Sequence, residues 1–302
     1  ALMSGETISD DDYRLLAYYS WGQDNERVMA DRNKVDAYRA MAEGCPANLE
    51  AESARLYVNY VMSSIAASRD EEQPVAMSDA QKNAAIERVH RILDSESLSR
   101  ANLMMVLYYG DTIVGGLTAA DSEERTQLLA HWNARLDDVA ADEAVSIAHR
   151  LATTMARISF VTIDDPEAEI PESLKEEAGR QVAWADGEAK TQYQRQAVIN
   201  TAWYVLTDAG LDEEANTLMM AEIGKSKTPY YFMGSLASLE EDPGNDEVAL
   251  EWRRKAYEAS EGPATRIRWW ASYVQALTRL APADADVIRT VALFPFDPAN
   301  GM

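Results

Sequence analysis

The residues best suited to binding chemistry are bases and aromatics that cluster between Trp252 and Arg289. This window holds seven basic and four acidic residues, a net charge of +3, within a 302-residue chain of net charge −23. Basic groups beside aromatic rings suit a carboxylate, because charged hydrogen bonds hold the acid while the rings give apolar contact. We therefore expect an acidic or carboxylate-bearing protein or peptide to bind here. The candidate residues are Arg253, Arg254, Arg266, Arg268, Trp269, Trp270 and Tyr273.

Two of these arginines occupy an unusual helical position. Arg266 and Arg268 follow Pro263 within the first turns of a predicted helix, where the helix dipole disfavours a cation. A bidentate grip on a partner carboxylate by either guanidinium is one explanation. The alternative is that the tryptophans and tyrosines are core residues and that the arginines pair with nearby acidic side chains.

The sequence predicts neither a metal site nor a cofactor. The three histidines, His90, His131 and His149, and the single cysteine supply too few ligands for a zinc or iron centre. Glu87 and His90 have the Glu-x-x-His spacing of di-iron bundles, but the sequence contains no second such pair. Three aspartates at 10–12 are consecutive, so their side chains point in different directions. We interpret them as the solvated start of a helix.

Cys45 lies between Gly44 and Pro46 in a predicted turn. With one cysteine the chain forms no intramolecular disulfide and no dithiol redox centre. A lone thiol can act as a nucleophile beside a histidine, but the sequence favours a buried or incidental turn cysteine. The sequence contains no Gly-rich phosphate loop, nucleophile elbow or zincin motif.

The acidic composition argues against two classes of partner. The first is nucleic acid, because binding its phosphates needs clustered Lys and Arg. The second is an anionic membrane surface, which needs the same clusters. This chain has 51 acidic and 28 basic residues. No stretch approaches about 18 consecutive apolar residues, so membrane insertion is not predicted. The chain starts at Ala1 and not at a methionine, as it would after removal of a signal peptide or if the sequence began inside a longer protein. A periplasmic or secreted location is one expectation, and a cytoplasmic location is the other.

Helical signals run through almost the whole chain and predict an all-α protein. Only 14 Gly and 10 Pro interrupt the sequence, and long runs are rich in Ala, Glu, Leu and Arg, which favour helix. Ser78 and Gln81 predict a capping box at a helix start. Gly110, Gly115 and Gly116 are expected to break or close one helix.

The last third of the chain predicts repeated helix pairs. Ala215 and Ala249 are 34 residues apart, and aromatic segments at 202–204, 230–232 and 269–271 recur in successive units. A period of about 34 residues is typical of tetratricopeptide-type hairpins, which stack because one hairpin cannot bury its own apolar face. The predicted fold is therefore an all-α, tetratricopeptide-like α-solenoid. Its first helices would line the groove, which adds Asn200, Trp203 and Tyr231 to the candidate binding residues.

An acidic, proline-bearing segment at 164–171 marks the best internal boundary. We expect an irregular helical-hairpin part at 1–163, then an acidic connection and linking helix at 164–192. Tetratricopeptide-like repeats with a C-terminal cap would follow at 193–302. The cap would come from an irregular tail at 294–298, which is rich in Phe and Pro.

The segment 228–282 carries three sequence elements that suggest a family. They are Tyr-Phe-Met at 231–233, Ala-Leu-Glu-Trp at 249–252 and Gly-Pro-Ala-Thr-Arg at 262–266. Through them the segment, 55 of 302 residues, resembles the repeat-bearing helical region of exported bacterial thioredoxin-family proteins. The redox activity of that family requires a Cys-x-x-Cys motif, so it does not carry over to a chain with one cysteine. The resemblance implies a helical accessory or docking module in envelope thiol or protein-folding biology.

Two functions remain open from the sequence, besides a purely structural domain whose active partner is another chain. The first is a non-enzymatic scaffold that binds a protein or peptide in the groove of its repeats. The alternative is an enzyme built on an α/α helical array, with paired carboxylates in a central cleft acting as acid and base. A deep pocket with facing carboxylates, one of them with a raised pKa, would favour the enzyme. An open groove of basic and aromatic residues would favour the scaffold.

Overall fold

The computed structural model describes residues 8–18, 31–69, 74–241 and 244–293. Within these ranges every regular element is a helix and no strand is present, so the prediction of an all-α chain is confirmed. The chain divides into two compact units, unit 1 at Ala1–Ile170 and unit 2 at Pro171–Met302. The division falls at the end of the acidic segment 164–171.

Unit 1 contains nine helices in its described residues, and helices distant in sequence meet in it. Helix α3 packs on α1, α2, α5 and α7, helix α4 packs on α8, and α9 packs on α6, α7 and α8. Leu56, Trp132 and Leu136 are fully buried in the resulting core. The helices are α1 (Asp10–Tyr18), α2 (Asp31–Gly44), α3 (Glu50–Ser68), α4 (Asp79–Asp94), α5 (Glu96–Ala101), α6 (Leu103–Tyr108), α7 (Gly110–Leu117), α8 (Glu123–Ala141) and α9 (Ile147–Val161).

Helix α4 begins at the capping box that Ser78 and Gln81 predict. The Gln81 amide donates to the Ser78 hydroxyl at 3.3 Å, and the Ser78 amide donates to the Gln81 side-chain oxygen at 2.8 Å. The box thus satisfies backbone donors that have no partner within the helix. The prediction of a helix start here is confirmed.

The sequence predicts that Gly110, Gly115 and Gly116 break or close one helix. The chain does break between α6 and α7 at Gly110, whereas Gly115 and Gly116 lie within the last turn of α7. A Cβ atom at Gly116 would lie 2.7 Å from the Ile65 side chain of α3, and one at Gly115 would lie 2.9 Å from Ile163. The glycines therefore allow close packing of α7 against its neighbours. Gly110 is the first residue of α7.

Unit 2 contains seven helices in its described residues, and each packs mainly on the helix before it and the helix after it. Its buried apolar residues form small clusters between successive helices, such as the cluster of Ile199, Met219, Phe232 and Leu236. The helices are α10 (Glu172–Glu188), α11 (Gln192–Asp208), α12 (Asp212–Ile223), α13 (Pro229–Glu241), α14 (Asp246–Ala259), α15 (Pro263–Leu280) and α16 (Ala285–Leu293).

Short joints connect the helices of unit 2. Gly210 follows α11 with a φ of 72°, and Gly262 precedes α15 with a φ of 80°, a left-handed conformation that favours glycine. Pro263 then occupies the first turn of α15, where its missing N–H costs no hydrogen bond. Residues 242–243 of the joint after α13 lie outside the described residues, as does the predicted cap at 294–298.

Candidate functional site

The basic residues of the 252–289 window do not form one surface. Arg253 on α14 donates to Glu241 at 3.0 Å and to Ser238 at 3.1 Å, and its side chain is only 16% exposed. Arg279 on α15 donates to the other Glu241 oxygen at 2.6 Å. Burial alone would raise the pKa of Glu241, but the hydrogen bonds from Arg279 and Arg253 outweigh burial and hold the pKa below its ordinary value. This charged carboxylate therefore ties α13, α14 and α15 together.

Arg254 and Arg266 also have partners within unit 2. Arg254 donates to Glu258 one turn later at 2.7 Å. Arg266 donates to the Ser260 carbonyl at 3.1 Å, and its guanidinium lies 5.1 Å from the centre of the Tyr257 ring. Ser260 ends α14, and a cation is favoured at a helix C-terminus. This contact gives a structural reason for an arginine in the first turn of α15. From the sequence alone, a carboxylate of a binding partner is one explanation.

The aromatic residues of α15 contact neighbouring helices. Trp269 is 8% exposed and Tyr273 is also buried, and burial raises the pKa of the Tyr273 hydroxyl. The Trp270 indole donates to the Val291 carbonyl of α16 at 2.7 Å. Trp269 and Tyr273 therefore lie in the core in place of the exposed anchors expected from the sequence, because burying a large ring stabilises the fold.

Trp269 packs directly against Tyr231. Its ring centre lies 5.6 Å from that of Tyr231 and 5.7 Å from that of Tyr230, with both pairs meeting edge to face. Gly234 makes room for the indole, because a Cβ atom at this position would lie 2.7 Å from two of its ring atoms. No described residue accepts the Trp269 indole N–H. The position of Tyr231 thus depends on Trp269, and through it on a glycine of α13.

The candidate binding site is a cleft of about 420 Å³ between α11 and α13, which we call the α11–α13 cleft. Its α11 residues recur at spacings of three and four, so they lie on one face of the helix. Tyr193 is 85% exposed in it, and Asn200 and Tyr231 are also exposed. Asn200 and Tyr231 are the sequence-predicted residues that the structure places in the cleft. The lining residues are Tyr193, Gln196, Ala197, Asn200, Tyr231, Phe232 and Ser235.

Two further predicted residues lie next to this cleft. The guanidinium of Arg268, an exposed residue on α15, lies 6.0 Å from the centre of the Tyr231 ring, within the range of a cation–π contact. Trp203 packs on the cluster that contains Ile199 and Phe232, and its ring centre lies 4.7 Å from that of Tyr204. Arg268 therefore lies at the rim of the cleft, whereas Trp203 packs on the apolar cluster between α11 and α13.

A second cleft of about 240 Å³ adjoins the first, because Gln196 and Phe232 line both. It adds Lys225 and Lys227, two exposed cations in the joint between α12 and α13. Sequence reasoning missed these lysines because they lie outside the basic window at 252–289. The available signal was a Lys-Ser-Lys run at 225–227 in an otherwise acidic chain.

Arg195 lines this second cleft and is held by two carboxylates. Two of its nitrogens donate to Glu222 at 3.0 and 2.6 Å, and one donates to Asp186 at 2.8 Å. The hydrogen bond to Glu222 is the main cause that raises the pKa of the Arg195 guanidinium. The Glu222 side chain is 5% exposed, so this bidentate pair compensates for a buried carboxylate. The contacts join α10, α11 and α12.

Unit 1 has a cleft of about 390 Å³ beside α5 and α8, and its carboxylates have arginine partners. Arg100 lies 3.2 Å from Glu96 and 2.5 Å from Asp142. Arg135 lies 3.2 Å from Asp138. Each carboxylate that lines this cleft is therefore held in an ion pair.

Two histidines of unit 1 meet although they are 41 residues apart in sequence. The Nδ1 atoms of His90 on α4 and His131 on α8 are 2.7 Å apart, and His131 Nε2 lies 2.9 Å from Asp94 Oδ1. No reason to pair these histidines is visible in the sequence, since no local pattern shows that α4 packs on α8. Glu87, one turn before His90, is exposed. The described parts of the chain contain no group of three side chains that could hold a metal ion.

Cys45 has the surroundings of an unreactive thiol. It is half-buried, and its Sγ lies 3.9 Å from the Leu49 carbonyl oxygen. Burial raises the pKa of the thiol, and the nearby carboxylates of Glu52 and Asp10 add to the rise. A raised pKa reduces the thiolate fraction at neutral pH, which is the opposite of what a nucleophile requires.

The aspartates at 10–12 form the start of α1. Asp12 accepts hydrogen bonds from the Ser9 hydroxyl and the Ser9 amide at 2.7 and 3.0 Å, and these bonds lower the pKa of Asp12. Asp11 pairs with Arg14 at 2.8 Å, and Asp10 accepts from Asn48 at 3.2 Å. Because each carboxylate has a different partner, the three do not converge on one point.

Comparisons with known proteins do not suggest a function for this chain. The chain matches no protein-family model, no curated protein and no solved structure. No helix in the described residues is long and apolar enough to cross a membrane.

Proposed function

We propose that this protein is a non-enzymatic scaffold that binds an acidic or carboxylate-bearing protein or peptide segment in the α11–α13 cleft. The observation that carries the proposal is the cleft itself, about 420 Å³ in volume and lined by exposed aromatic and amide side chains. Tyrosine gives a large contact area with a polar tip, and an amide both donates and accepts hydrogen bonds. An accessory role in bacterial envelope thiol or protein-folding biology, which the resemblance of 228–282 implies, is part of the same proposal.

We further propose that unit 2 is a tetratricopeptide-like α-solenoid. The spacing of 34 residues between Ala215 and Ala249 supports it. The packing of each helix on its sequence neighbours supports it as well, since repeat proteins are built from contacts between adjacent elements. The cleft also lies where this architecture would bind, because α11, α13 and α15 are the first helices of the predicted pairs.

The charges around the cleft favour an acidic partner. Arg268 lies on one side of it, and Lys225 and Lys227 line the adjoining cleft. The whole chain has a net charge of −23, so most of its surface repels an acidic segment while these cations attract it. The Tyr231 ring would add apolar contact, and the Asn200 amide would bond a peptide backbone.

The enzyme alternative has less support from the described residues. The carboxylates of the cleft beside α5 and α8 in unit 1 are bound by Arg100 and Arg135. Desolvation raises the pKa of Asp208, but this residue is exposed at the C-terminal end of α11 and lines none of the three clefts described above. A raised pKa without a facing carboxylate does not make an acid–base pair.

An array of synthetic peptides of graded acidity tests the proposal on the full chain. Acidic peptides should be retained in preference to neutral and basic ones, and their retention should weaken as salt screens the charges. Arg268→Ala should weaken retention by about 1–3 kcal/mol, the range for a lost hydrogen bond to a charged group. Asn200→Ala should weaken it as well.

Arg254→Ala is the matched control, since it removes the same charge from an arginine that is paired with Glu258. Arg266→Ala should change stability more than affinity, because Arg266 contacts Ser260. Equal losses for Arg254→Ala and Arg268→Ala, or no preference for acidic peptides, would contradict the proposal.

A further inference from the structure

The histidine pair of unit 1 has a geometry that the proposed function does not use. The rings of His90 and His131 are inclined at 18° with centres 4.9 Å apart, and their Nδ1 atoms are 2.7 Å apart. The two distances differ by 2.2 Å, which is close to twice the distance from an imidazole centre to its own nitrogen. The two centres and the two nitrogens therefore lie nearly on one line. The rings meet nitrogen to nitrogen, with the lone pair of one directed at the other.

This arrangement fits a shared proton. Two imidazole nitrogens at 2.7 Å form a short hydrogen bond only when one carries a proton and the other does not. A zinc ion on the same line would need about 4 Å between the nitrogens, because each zinc–nitrogen bond is about 2.0–2.1 Å. The separation is too short for that ion.

Asp94 determines how the pair takes up protons. Its carboxylate can only accept and lies 2.9 Å from His131 Nε2, so it favours the tautomer with a hydrogen on that nitrogen. In the neutral pair His131 Nδ1 therefore accepts, and His90 Nδ1 donates. One added proton on His90 Nε2 keeps this bond, and the charge can move to His131 beside Asp94 when the shared proton transfers. A second added proton puts a hydrogen on both Nδ1 atoms, which removes the bond and leaves two cations whose Nδ1–H groups point at each other.

On α4 and α8, the charged residues one turn from the two histidines are Glu87, Asp94 and Arg135. The pKa of His90 is lowered first by burial and then by His131, while Asp94 raises it by less. Glu87 precedes His90 by one turn and is exposed. Arg135 follows His131 by one turn, and its guanidinium is held by the Leu93 carbonyl at 2.6 Å and by Asp138.

We propose that His90 and His131 form an acid-sensitive clasp between α4 and α8. The clasp holds while the pair carries no more than one added proton, and it opens when the second proton binds. Opening separates two helices of the unit 1 core and exposes the apolar residues between them.

The direction of the pH effect follows from the lowered pKa of His90. In the unfolded chain His90 takes up a proton near pH 6.5, and in the folded chain it does so only at lower pH. Acid therefore favours unfolding. The stabilisation is complete above about pH 6.5 and is lost as pH falls toward the pKa of the folded state. For one proton, the opening constant rises by at most about tenfold per pH unit in this range.

Nitrogen-detected NMR of the full chain tests the shared proton directly. The chain has three histidines, so His→Gln variants assign every signal. The two Nδ1 atoms should titrate as a coupled pair, and His131→Gln should move the His90 titration to higher pH. Independent titration of the two rings would overturn the proposal, as would stoichiometric zinc bound to both.

Hydrogen exchange of α4 and α8 tests the opening. Wild type and His90→Gln are compared at the same pH, so intrinsic exchange rates cancel, and His149→Gln on α9 is the matched control. On acidification the wild type and the control should lose more protection in α4 and α8 than His90→Gln does. Equal losses in wild type and His90→Gln would overturn the clasp. If His90→Gln is already unprotected at neutral pH, the NMR titration of His131→Gln still decides the question.

Discussion

Gly234→Ala tests the contact that positions Tyr231 in the α11–α13 cleft. A Cβ atom at this position would lie 2.7 Å from two carbons of the Trp269 ring, about 1 Å inside the favourable separation of about 3.5–4.0 Å. The indole is rigid and buried, and it is in contact with Tyr230 and Tyr231, so it cannot move aside as a flexible side chain would. Overpacking of this kind costs about 1–3 kcal/mol.

Gly179→Ala is the matched control for this substitution. Gly179 lies inside α10 and is exposed, and nothing lies within 4 Å of a Cβ atom there. Alanine is favoured over glycine in a helix by about 1 kcal/mol, so Gly179→Ala should be stabilised by about that amount. In Gly234→Ala the same gain is opposed by the clash, and we expect a net loss of up to about 2 kcal/mol. The difference between the variants, about 1–3 kcal/mol, measures the clash.

Urea unfolding of the full chain, followed by near-ultraviolet circular dichroism of its tryptophans, provides the measurement. Gly234→Ala should also reduce retention of acidic peptides, because the Trp269 ring packs against Tyr231 and a shift of the indole displaces that tyrosine. Trp269→Phe in the same chain should restore part of the lost stability, since the smaller ring lacks the atoms that clash. The reasoning is refuted if Gly234→Ala is stabilised as much as Gly179→Ala.

Three further expectations concern ion pairs and the thiol. Arg195→Leu should destabilise the chain by about 3 kcal/mol in thermal melts, because it leaves the buried Glu222 without its bidentate partner. Arg180→Leu removes an arginine from an exposed ion pair and should cost less than about 1 kcal/mol in the same melts. Cys45 should react slowly with iodoacetamide at neutral pH and faster once urea unfolds the chain, since burial raises its pKa; equal rates would contradict this. Glu241 has a lowered pKa, so its stabilisation is complete above its unfolded value of 4.5 and is lost as pH falls through the folded value; Glu241→Gln should therefore lose less stability in acid than wild type does.

Features that depend on neighbouring residues in sequence were predictable. Ser78 and Gln81 are three residues apart, and a capping box needs nothing else. Asn200 and Tyr231 were predicted to line a groove because one helix of each pair faces the groove in a solenoid, and both line the α11–α13 cleft. The helical character of the chain followed from composition and periodicity in the same way.

Features that depend on which helices meet were not predictable. The glycines of α7 look like helix breakers until Ile65 of α3 is known to lie against Gly116. The anomaly at Arg266 was visible in the sequence, but its cause is the end of the preceding helix at Ser260. Likewise, no spacing rule connects His90 with His131, because their contact follows from the packing of α4 on α8.

The order of helix packing sets different folding rates for the two units. In unit 2 the main contacts join consecutive helices, whereas unit 1 also joins α3 to α7 and α6 to α9. Contacts between distant residues require longer loops to close, and chains rich in them fold more slowly. Unit 2 can therefore begin to fold at any helix pair and extend in either direction. We expect unit 1 to complete its core only after α3 and α7 have come together, so that it folds more slowly than unit 2.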